Sequence, residues 1–210
     1  MNRRLTAMAS ILALATLGGC ASMSGDECLT SDWHAIGFED GSRGYTAEQL
    51  GNHRKACAKH GVTPDFQAYQ AGRLEGLVEF CKPTRAFNLG SNGGQYHGVC
   101  SAHNEGQFLD AYNSGYHLYS LRSKVNSANY RINANEEEVE RTLALIREKE
   151  AALIARDTLT EERIILIADL KDLSAKVGQL ESEMHALIEE RAMYEQQLQT
   201  YEAVLADSGY

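Results

Sequence analysis

The chain has 210 residues, with 20 Lys and Arg against 29 Asp and Glu, and a formal net charge of −9 at pH 7. A body this acidic is a poor partner for nucleic acid and is not expected to adhere to an anionic bilayer through its overall charge. Its five cysteines make the oxidation state of its compartment decisive for the fold.

The first twenty residues have the pattern of an export signal. Arg3 and Arg4 precede an apolar run, residues 5–17, that is too short to span a bilayer. The run ends in Leu-Gly-Gly-Cys at residues 17–20, which resembles the lipobox of bacterial lipoproteins. This resemblance implies cleavage before Cys20 and acylation of its thiol. The mature chain would then have 191 residues and a net charge of −11, because the removed segment carries two cations and no acid.

The residue after the anchor indicates which membrane is involved. In the lipoprotein pattern of Gram-negative bacteria an Asp after the acylated cysteine signals retention at the inner membrane, but here Ala21 follows Cys20. The resemblance therefore implies an outer-membrane location, facing the periplasm. A single acyl chain holds a protein only marginally, at about 0.8 kcal/mol per buried methylene, whereas the several chains of a lipoprotein hold it firmly.

Four cysteines remain in the exported body: Cys28, Cys57, Cys81 and Cys100. An even number in an oxidising compartment predicts two disulfides, for which three connectivities are possible. We favour a bond between Cys81 and Cys100, because it closes a glycine-rich loop, and this leaves Cys28 to pair with Cys57.

Composition changes near residue 118 and divides the chain into a head and a tail. Both prolines, the only tryptophan and the four cysteines lie before this point, whereas Glu, Leu, Ala, Arg and Ile dominate after it. The sequence predicts an all-α fold, a small disulfide-stapled helical head followed by a long helical coiled-coil tail. Its parts are a signal peptide (1–19), an anchor and linker (20–27), the head (28–118), the tail (119–205) and a C-terminal end (206–210).

The head shows a weak repeat in which an aromatic residue is followed by glycines spaced by four. The sets are Trp33 with Gly37, Gly41 and Gly44, Tyr69 with Gly72 and Gly76, and Tyr112 with Gly115. Glycine inside a helix costs about 0.5–1 kcal/mol relative to alanine. Such repetition therefore predicts close helix packing. The glycine-rich stretch 82–99 is predicted to be a loop.

The tail carries two heptad registers. In the second, residues that are apolar with the exception of Arg191 recur at both seam positions over five heptads, between Leu166 and Leu205, which predicts a coiled coil. In the first, apolar residues recur every seven positions from Leu118 to Leu153. Their expected companions four residues later are poor: Arg122, Asn129, Glu136, Leu143 and Glu150.

The two registers meet out of phase between residues 153 and 166. The tail is therefore either one nearly continuous helix with a local phase shift or two helices folded back as a hairpin. We favour the continuous helix because neither glycine nor proline marks the junction. A continuous helix would expose its seam and predicts self-association.

Residues that could carry chemistry are few. His53, Cys57 and His60 share one predicted helix face, and Cys100 is followed by His103, which together suggest a metal site. Disulfide formation competes for the thiols, so we expect neither metal nor cofactor. We find no catalytic motif either. The polar residues nearest the aromatic and glycine landmarks are candidate ligand contacts: Asp40, Arg43, Arg73 and Tyr96.

A set of short motifs runs through residues 28–119. It comprises Cys28, Asp32-Trp33, residues 37–41 (GFEDG), 53–57, 61–64, 69–73 (YQAGR), Gly76-Leu77, 81–83 (CKP), Gly90 and 96–100 (YHGVC). As a set, these motifs resemble a family of small proteobacterial lipoproteins catalogued only as a domain of unknown function. The resemblance supports the envelope location and a two-disulfide head, and it implies no catalytic residue.

We therefore expect a non-enzymatic outer-membrane lipoprotein with a structural or adaptor role. Its partners would be the membrane, through the lipid, and either a second copy or an envelope protein, through the coiled coil; nucleic acid is excluded. The alternative is a head that binds or hydrolyses a small cell-envelope ligand, with Asp40, Arg43, Arg73 and Tyr96 around one pocket. A weaker alternative is a metal-responsive head, which requires free thiols.

Overall fold

The computed structural model describes residues 23–208, in which all regular secondary structure is helical. The helices are α1 (Gly25–Thr30), α2 (Trp33–Ser42), α3 (Gln49–Ala58), α4 (Phe66–Phe80), α5 (Pro83–Ser91), α6 (Ala102–Ile154) and α7 (Thr160–Asp207). The predicted all-α class, with a disulfide-stapled head and a long helical C-terminal part, is confirmed. Across residues 23–208, no helix combines the length and apolarity needed to cross a bilayer. The predicted signal peptide and Cys20 lie outside the described residues.

The head is stapled by the two disulfides favoured from the sequence. Cys28 pairs with Cys57 and ties α1 to α3, whereas Cys81 pairs with Cys100 and ties the end of α4 to the start of α6. Each disulfide lies in its own apolar cluster. The first cluster contains Trp33, Leu50 and Tyr69, and the second contains Leu77, Phe80, Ala86, Phe108 and Ala111.

One element of the head was not predicted. Residues 82–99 were expected to form a loop, but α5 occupies half of that stretch, with Pro83 at its first turn where the missing N–H is tolerated. Gly90 suggested a loop, yet it is a buried helical residue whose role is packing. The loop prediction was wrong because glycine marks both turns and close helix contacts.

The tail is a helical hairpin, so the favoured continuous helix was wrong. α6 begins in the head, runs through residue 118 without interruption and ends at Ile154, and α7 then returns along it. Five polar contacts define the antiparallel register: Tyr201 to the carbonyl of Ser114 (2.9 Å), Glu202 to Arg122 (2.8 Å), Arg191 to Asn129 (3.1 Å), Lys176 to Glu138, and Asp169 to Lys149 (2.5 Å).

The turn between α6 and α7 is stabilised by a side chain. The guanidinium of Arg163 donates to three carbonyl oxygens, those of Leu153 (2.6 Å), Ala155 (2.8 Å) and Thr158 (3.2 Å). These bonds satisfy carbonyl groups that a helix end leaves without partners. The reversal therefore needs neither glycine nor proline, which explains why the sequence did not reveal it.

The hairpin seam follows the second register as predicted. Each α7 seam position from Leu166 to Leu205 is buried or half-buried, and Leu187 is only 2% exposed. On α6, however, the companion positions lie three residues after each apolar position, not four. They include the buried Leu121, Ala128 and Thr142. The expected companions were wrong because small and polar residues occupy the true seam.

Candidate functional site

Helices α2 and α4 cross with their backbones in direct contact. A Cβ atom built on Gly37 would lie 2.0 Å from the carbonyl oxygen of Tyr69, and one built on Gly72 would lie 1.9 Å from that of His34. Gly41 and Gly76 are equally tight, at 2.2 and 2.1 Å from the nearest backbone oxygen. Any side chain at these positions would push the helices apart, so the predicted packing role of the glycines is confirmed.

Helices α5 and α6 cross in the same way. A Cβ atom on Gly90 would lie 2.2 Å from the carbonyl oxygen of Tyr112, and one on Gly115 would lie 2.2 Å from that of Phe87. This second crossing lies against the Cys81–Cys100 disulfide, as the first lies against Cys28–Cys57.

The two crossings reveal an internal duplication of the head. Residues 38–44 (FEDGSRG) and 87–93 (FNLGSNG) share the pattern Phe-x-x-Gly-Ser-x-Gly. The last glycine of each copy has a positive φ, +76° and +70°, and lies against an aromatic ring, that of Phe80 or Tyr119. Each of these aromatic residues follows, by four positions, a glycine at which its own helix crosses the other: Phe80 follows Gly76, and Tyr119 follows Gly115. The repeat is only partly recognisable in the sequence, because each copy consists of two helices that are separated along the chain.

We call α2 with α4 the first pair and α5 with α6 the second pair. The first pair differs from the second by a buried polar cluster, Asp40, His53 and Tyr69, which we call the Asp40 cluster. Asp40 is 5% exposed, and its Oδ2 accepts a hydrogen bond from the Tyr69 hydroxyl at 2.8 Å and lies 2.8 Å from His53 Nε2. In the second pair the duplication places Leu89 and Phe108 at the positions of Asp40 and Tyr69. The second pair is apolar at this point.

The Asp40 cluster attaches α3 to the first crossing. His53 is the α3 residue that reaches Asp40, and the edge of its ring faces Trp33 at a centroid distance of 6.2 Å. Burial and the adjacent Asp40 carboxylate raise the pKa of Tyr69, so its hydroxyl stays protonated and donates to the carboxylate. A buried carboxylate engaged by two side chains is typical of a structural contact.

The four candidate ligand residues do not surround one cavity. Asp40 is buried in its cluster, and Arg43 is exposed and pairs with Glu39 at 3.3 Å. The Arg73 guanidinium donates to the carbonyl of Tyr45 at 2.8 and 3.2 Å. The Tyr45 N–H in turn donates to the Asp40 carbonyl, so Arg73 is joined to Asp40 only through the backbone of Tyr45.

Tyr96 lies apart from the other three, in the second cluster. Its hydroxyl accepts from the Cys100 N–H at 3.0 Å and donates to Glu105 at 3.1 Å. Burial of its ring raises the pKa of the phenol. Tyr96 therefore closes the loop before α6 against the Cys81–Cys100 disulfide.

The candidate metal ligands are engaged elsewhere. Cys57 and Cys100 are in disulfides, His53 contacts Asp40, and the ring of His60 lies against Gly25. Within residues 23–208 the structure shows no group of three or more His, Cys, Asp or Glu side chains arranged to hold a metal ion.

Two surfaces were missed in the sequence. The first, which we call the α3 groove, is an open cavity of about 560 Å³ lined by Gly51, Arg54, Lys55, Ala58 and residues 61–64. The second, which we call the hairpin tip, consists of five exposed apolar residues around the turn: Ile154, Leu159, Ile164, Ile165 and Ile167. The groove could have been found from a local signal, because residues 49–64 contain no acid.

Fold and site together define a helical protein with a duplicated, disulfide-stapled head and a projecting hairpin. Residues 32–117 match the model of a family described as "Protein of unknown function (DUF2799)". The match covers most of the head and confirms the expected domain of unknown function. The searches returned no similar curated protein and no similar solved structure.

Proposed function

We propose that this chain is an outer-membrane-anchored periplasmic lipoprotein that acts as an adaptor. Its acylated Cys20 holds the head at the membrane, and its hairpin presents the tip to another envelope protein. The head is a rigid base without enzymatic activity. The geometry of the hairpin tip is the observation that carries this proposal.

The hairpin places the tip far from the head. About 40 residues of α6 lie between Ser114, whose carbonyl accepts from Tyr201 of α7, and Ile154 at the turn. At 1.5 Å per residue they span about 60 Å. Because α6 is one helix from the head to the tip, the distance between base and tip is fixed by the backbone.

The tip has the character of a binding surface. Ile154 is 80% exposed, and the other four tip residues are between 57% and 65% exposed. Clustered exposed apolar residues of this size mark interaction sites in soluble domains. The seam of α7 is already covered by α6, so we assign the exposed tip, and not the seam, to the partner.

The chemistry of the tip indicates its partner. Three exposed acids, Asp157, Glu161 and Glu162, and one exposed cation, Arg156, flank the apolar residues, whereas Arg163 is engaged by the carbonyls of the turn, so acids outnumber exposed cations here. A complementary partner is a protein with an apolar groove and a basic rim, in the manner of other helix-in-groove complexes.

In-cell photocrosslinking tests the adaptor role. A photoreactive residue replaces Ile165 at the tip, and the matched control replaces Glu181, which is exposed in the middle of α7. We expect an adduct with a second envelope protein from position 165 and none from position 181. Adducts composed only of copies of this chain, or equal labelling from both positions, would contradict the proposal.

Acylation has its own test. The mature protein should carry fatty acid and sediment with membranes, and Cys20→Ser should abolish both properties.

The alternative function, a head that binds or hydrolyses a small ligand, requires Asp40, Arg43, Arg73 and Tyr96 around one cavity. Their separate environments leave that alternative without a supporting observation.

A further inference from the structure

We propose that the α3 groove binds the anionic phosphate headgroups of the membrane in which the protein is anchored. The inference rests on the proposed acylation of Cys20 and adds a second, electrostatic contact that orients the head. It concerns one face of a protein whose net charge is negative, so the contact depends on local charge.

The cations of α3 are free of carboxylate partners. Elsewhere in the described part of the chain many cations pair with carboxylates: examples are Arg43 with Glu39, Lys82 with Glu79, Arg122 with Glu202, Arg141 with Glu138 and Lys149 with Asp169. Between residues 23 and 208 no carboxylate pairs with Arg54, Lys55 or Lys59. Three unpaired cations on one ten-residue helix and its C-cap form the densest such cluster in the part of the chain that the structure describes.

The shape of the groove suits a headgroup. One wall is the α3 face with Arg54 and Lys55, and the other is the loop 61–64, which turns at Gly61 with a φ of +68°. A Cβ atom on Gly51 would meet nothing within 4 Å, so the floor is open to a ligand. Apolar groups of Ala58 and residues 62 and 64 complete the lining.

The position of the groove brings it to the bilayer. Met23 lies three positions after Cys20, and an extended segment of that length reaches at most about 11 Å. Met23 packs against the apolar cluster that contains Leu50 and Cys57 of α3. An acylated Cys20 therefore holds α3 at the membrane surface, where tethering gives the headgroups a high effective concentration.

The acids on the neighbouring segments do not pair with these cations. The Glu27 carboxylate accepts from the Ser24 N–H at 2.7 Å, which lowers its pKa, and Asp65 accepts from two N–H groups at the start of α4. Asp26 stands on α1 and Glu48 just before α3. Each Lys or Arg near an anionic surface strengthens binding, so a cluster of three is significant.

The test uses the mature acylated protein in vesicles. One set contains phosphatidylcholine only, and in the other about a third of the lipid is phosphatidylglycerol. A water-soluble amine reagent labels exposed lysines, and mass spectrometry gives the rate at each site. We expect Lys55 and Lys59 to be labelled about threefold more slowly on the anionic vesicles and Lys171 of the hairpin to be unaffected. Salt at about 1 M, where the screening length is about 3 Å, should remove the protection.

Variants assign the effect to the groove. Arg54→Gln with Lys55→Gln should abolish the protection of Lys59, whereas Lys171→Gln, the matched change of an exposed cation on α7, should preserve it. Equal labelling of Lys55 and Lys59 on both vesicle types would overturn the inference. Equal protection by inorganic phosphate on neutral vesicles would also overturn it, in favour of a small-anion site.

The same preparation separates this inference from the proposed anchor. Flotation with neutral vesicles reports acylation alone, because those vesicles carry no net charge. A protein that floats with neutral vesicles but shows no lysine protection keeps its anchor and lacks the headgroup contact. A protein that fails to float contradicts the proposed anchoring itself.

Discussion

The two helix pairs of the head show how the same crossing can be used in two ways. Both pairs have the Phe-x-x-Gly-Ser-x-Gly pattern and the same backbone contact, but the first contains Asp40 and Tyr69 where the second contains Leu89 and Phe108. The apolar pair closes on itself, whereas the polar pair also binds α3 through His53. The glycines therefore determine the crossing, and the residues beside them determine what else it holds.

The glycine crossings are expected to be the most sensitive feature of both pairs. Gly41→Ala and Gly90→Ala place a methyl group 2.2 Å from a backbone oxygen, so the helices must separate. We expect each change to lower the free energy of unfolding by about 4 kcal/mol, measured by denaturant titration. Gly106→Ala is the control, since nothing lies within 4 Å of its Cβ position, and should add about 0.5–1 kcal/mol. A gain in stability at Gly90 like that of the control would contradict a tight crossing.

Removal of either disulfide should lower the free energy of unfolding by a similar amount. The bonds join residues separated by 29 and 19 positions, for which loop closure predicts stabilisation of about 3–4 kcal/mol each. Replacing Cys28 and Cys57, or Cys81 and Cys100, by serine and measuring thermal unfolding checks this expectation. If one pair of cysteines could be replaced by serine without loss of stability, the head would not depend on both disulfides.

The polar cluster should be convertible into its apolar counterpart. Asp40→Leu alone leaves the Tyr69 hydroxyl buried without an acceptor and should destabilise the protein by about 2 kcal/mol. Adding Tyr69→Phe, which reproduces the second pair, should recover about half of this loss. Denaturant titration of both variants measures the recovery, and additive losses would show that the two pairs are not equivalent at these positions.

The smallest expected effect lies in the hairpin. Arg191 occupies a seam position, and its Nε has no hydrogen-bond acceptor, since Glu195 Oε1 lies 3.6 Å away. Its Nη1 donates to Asn129 at 3.1 Å. Arg191→Met should raise the free energy of unfolding by about 1 kcal/mol, because an apolar side chain suits the seam better than a partly satisfied cation. A loss of stability would show that the Asn129 contact outweighs the buried Nε.

Much of the fold was predictable because it follows from local patterns. Cysteine count and spacing led to the two disulfides, and the repeated leucines of α7 led to the seam that α6 covers. The reversal at residues 155–159 was not predictable from turn residues, because the Arg163 side chain stabilises it through bonds to three distant carbonyls. Composition alone does not identify such a bond.

The candidate site was predictable only in part. Asp40 was singled out, but its contacts with His53 and Tyr69 join residues 13 and 29 positions away and depend on the tertiary fold. The α3 groove escaped notice because net charge was assessed over the whole chain. A local count over residues 49–64 would have revealed it.

The most direct test of the account is the distance between residues 122 and 202. Spin labels carried by non-canonical residues at these positions, in protein diluted with unlabelled chain, report the intramolecular distance by double electron–electron resonance. The hairpin brings the Arg122 and Glu202 side chains to 2.8 Å, so the labels should lie within about 30 Å, allowing for label arms comparable to the helix diameter. A continuous helix would separate these positions, 80 residues apart, by about 120 Å. The absence of a short distance would contradict the hairpin and, with it, the proposed tip.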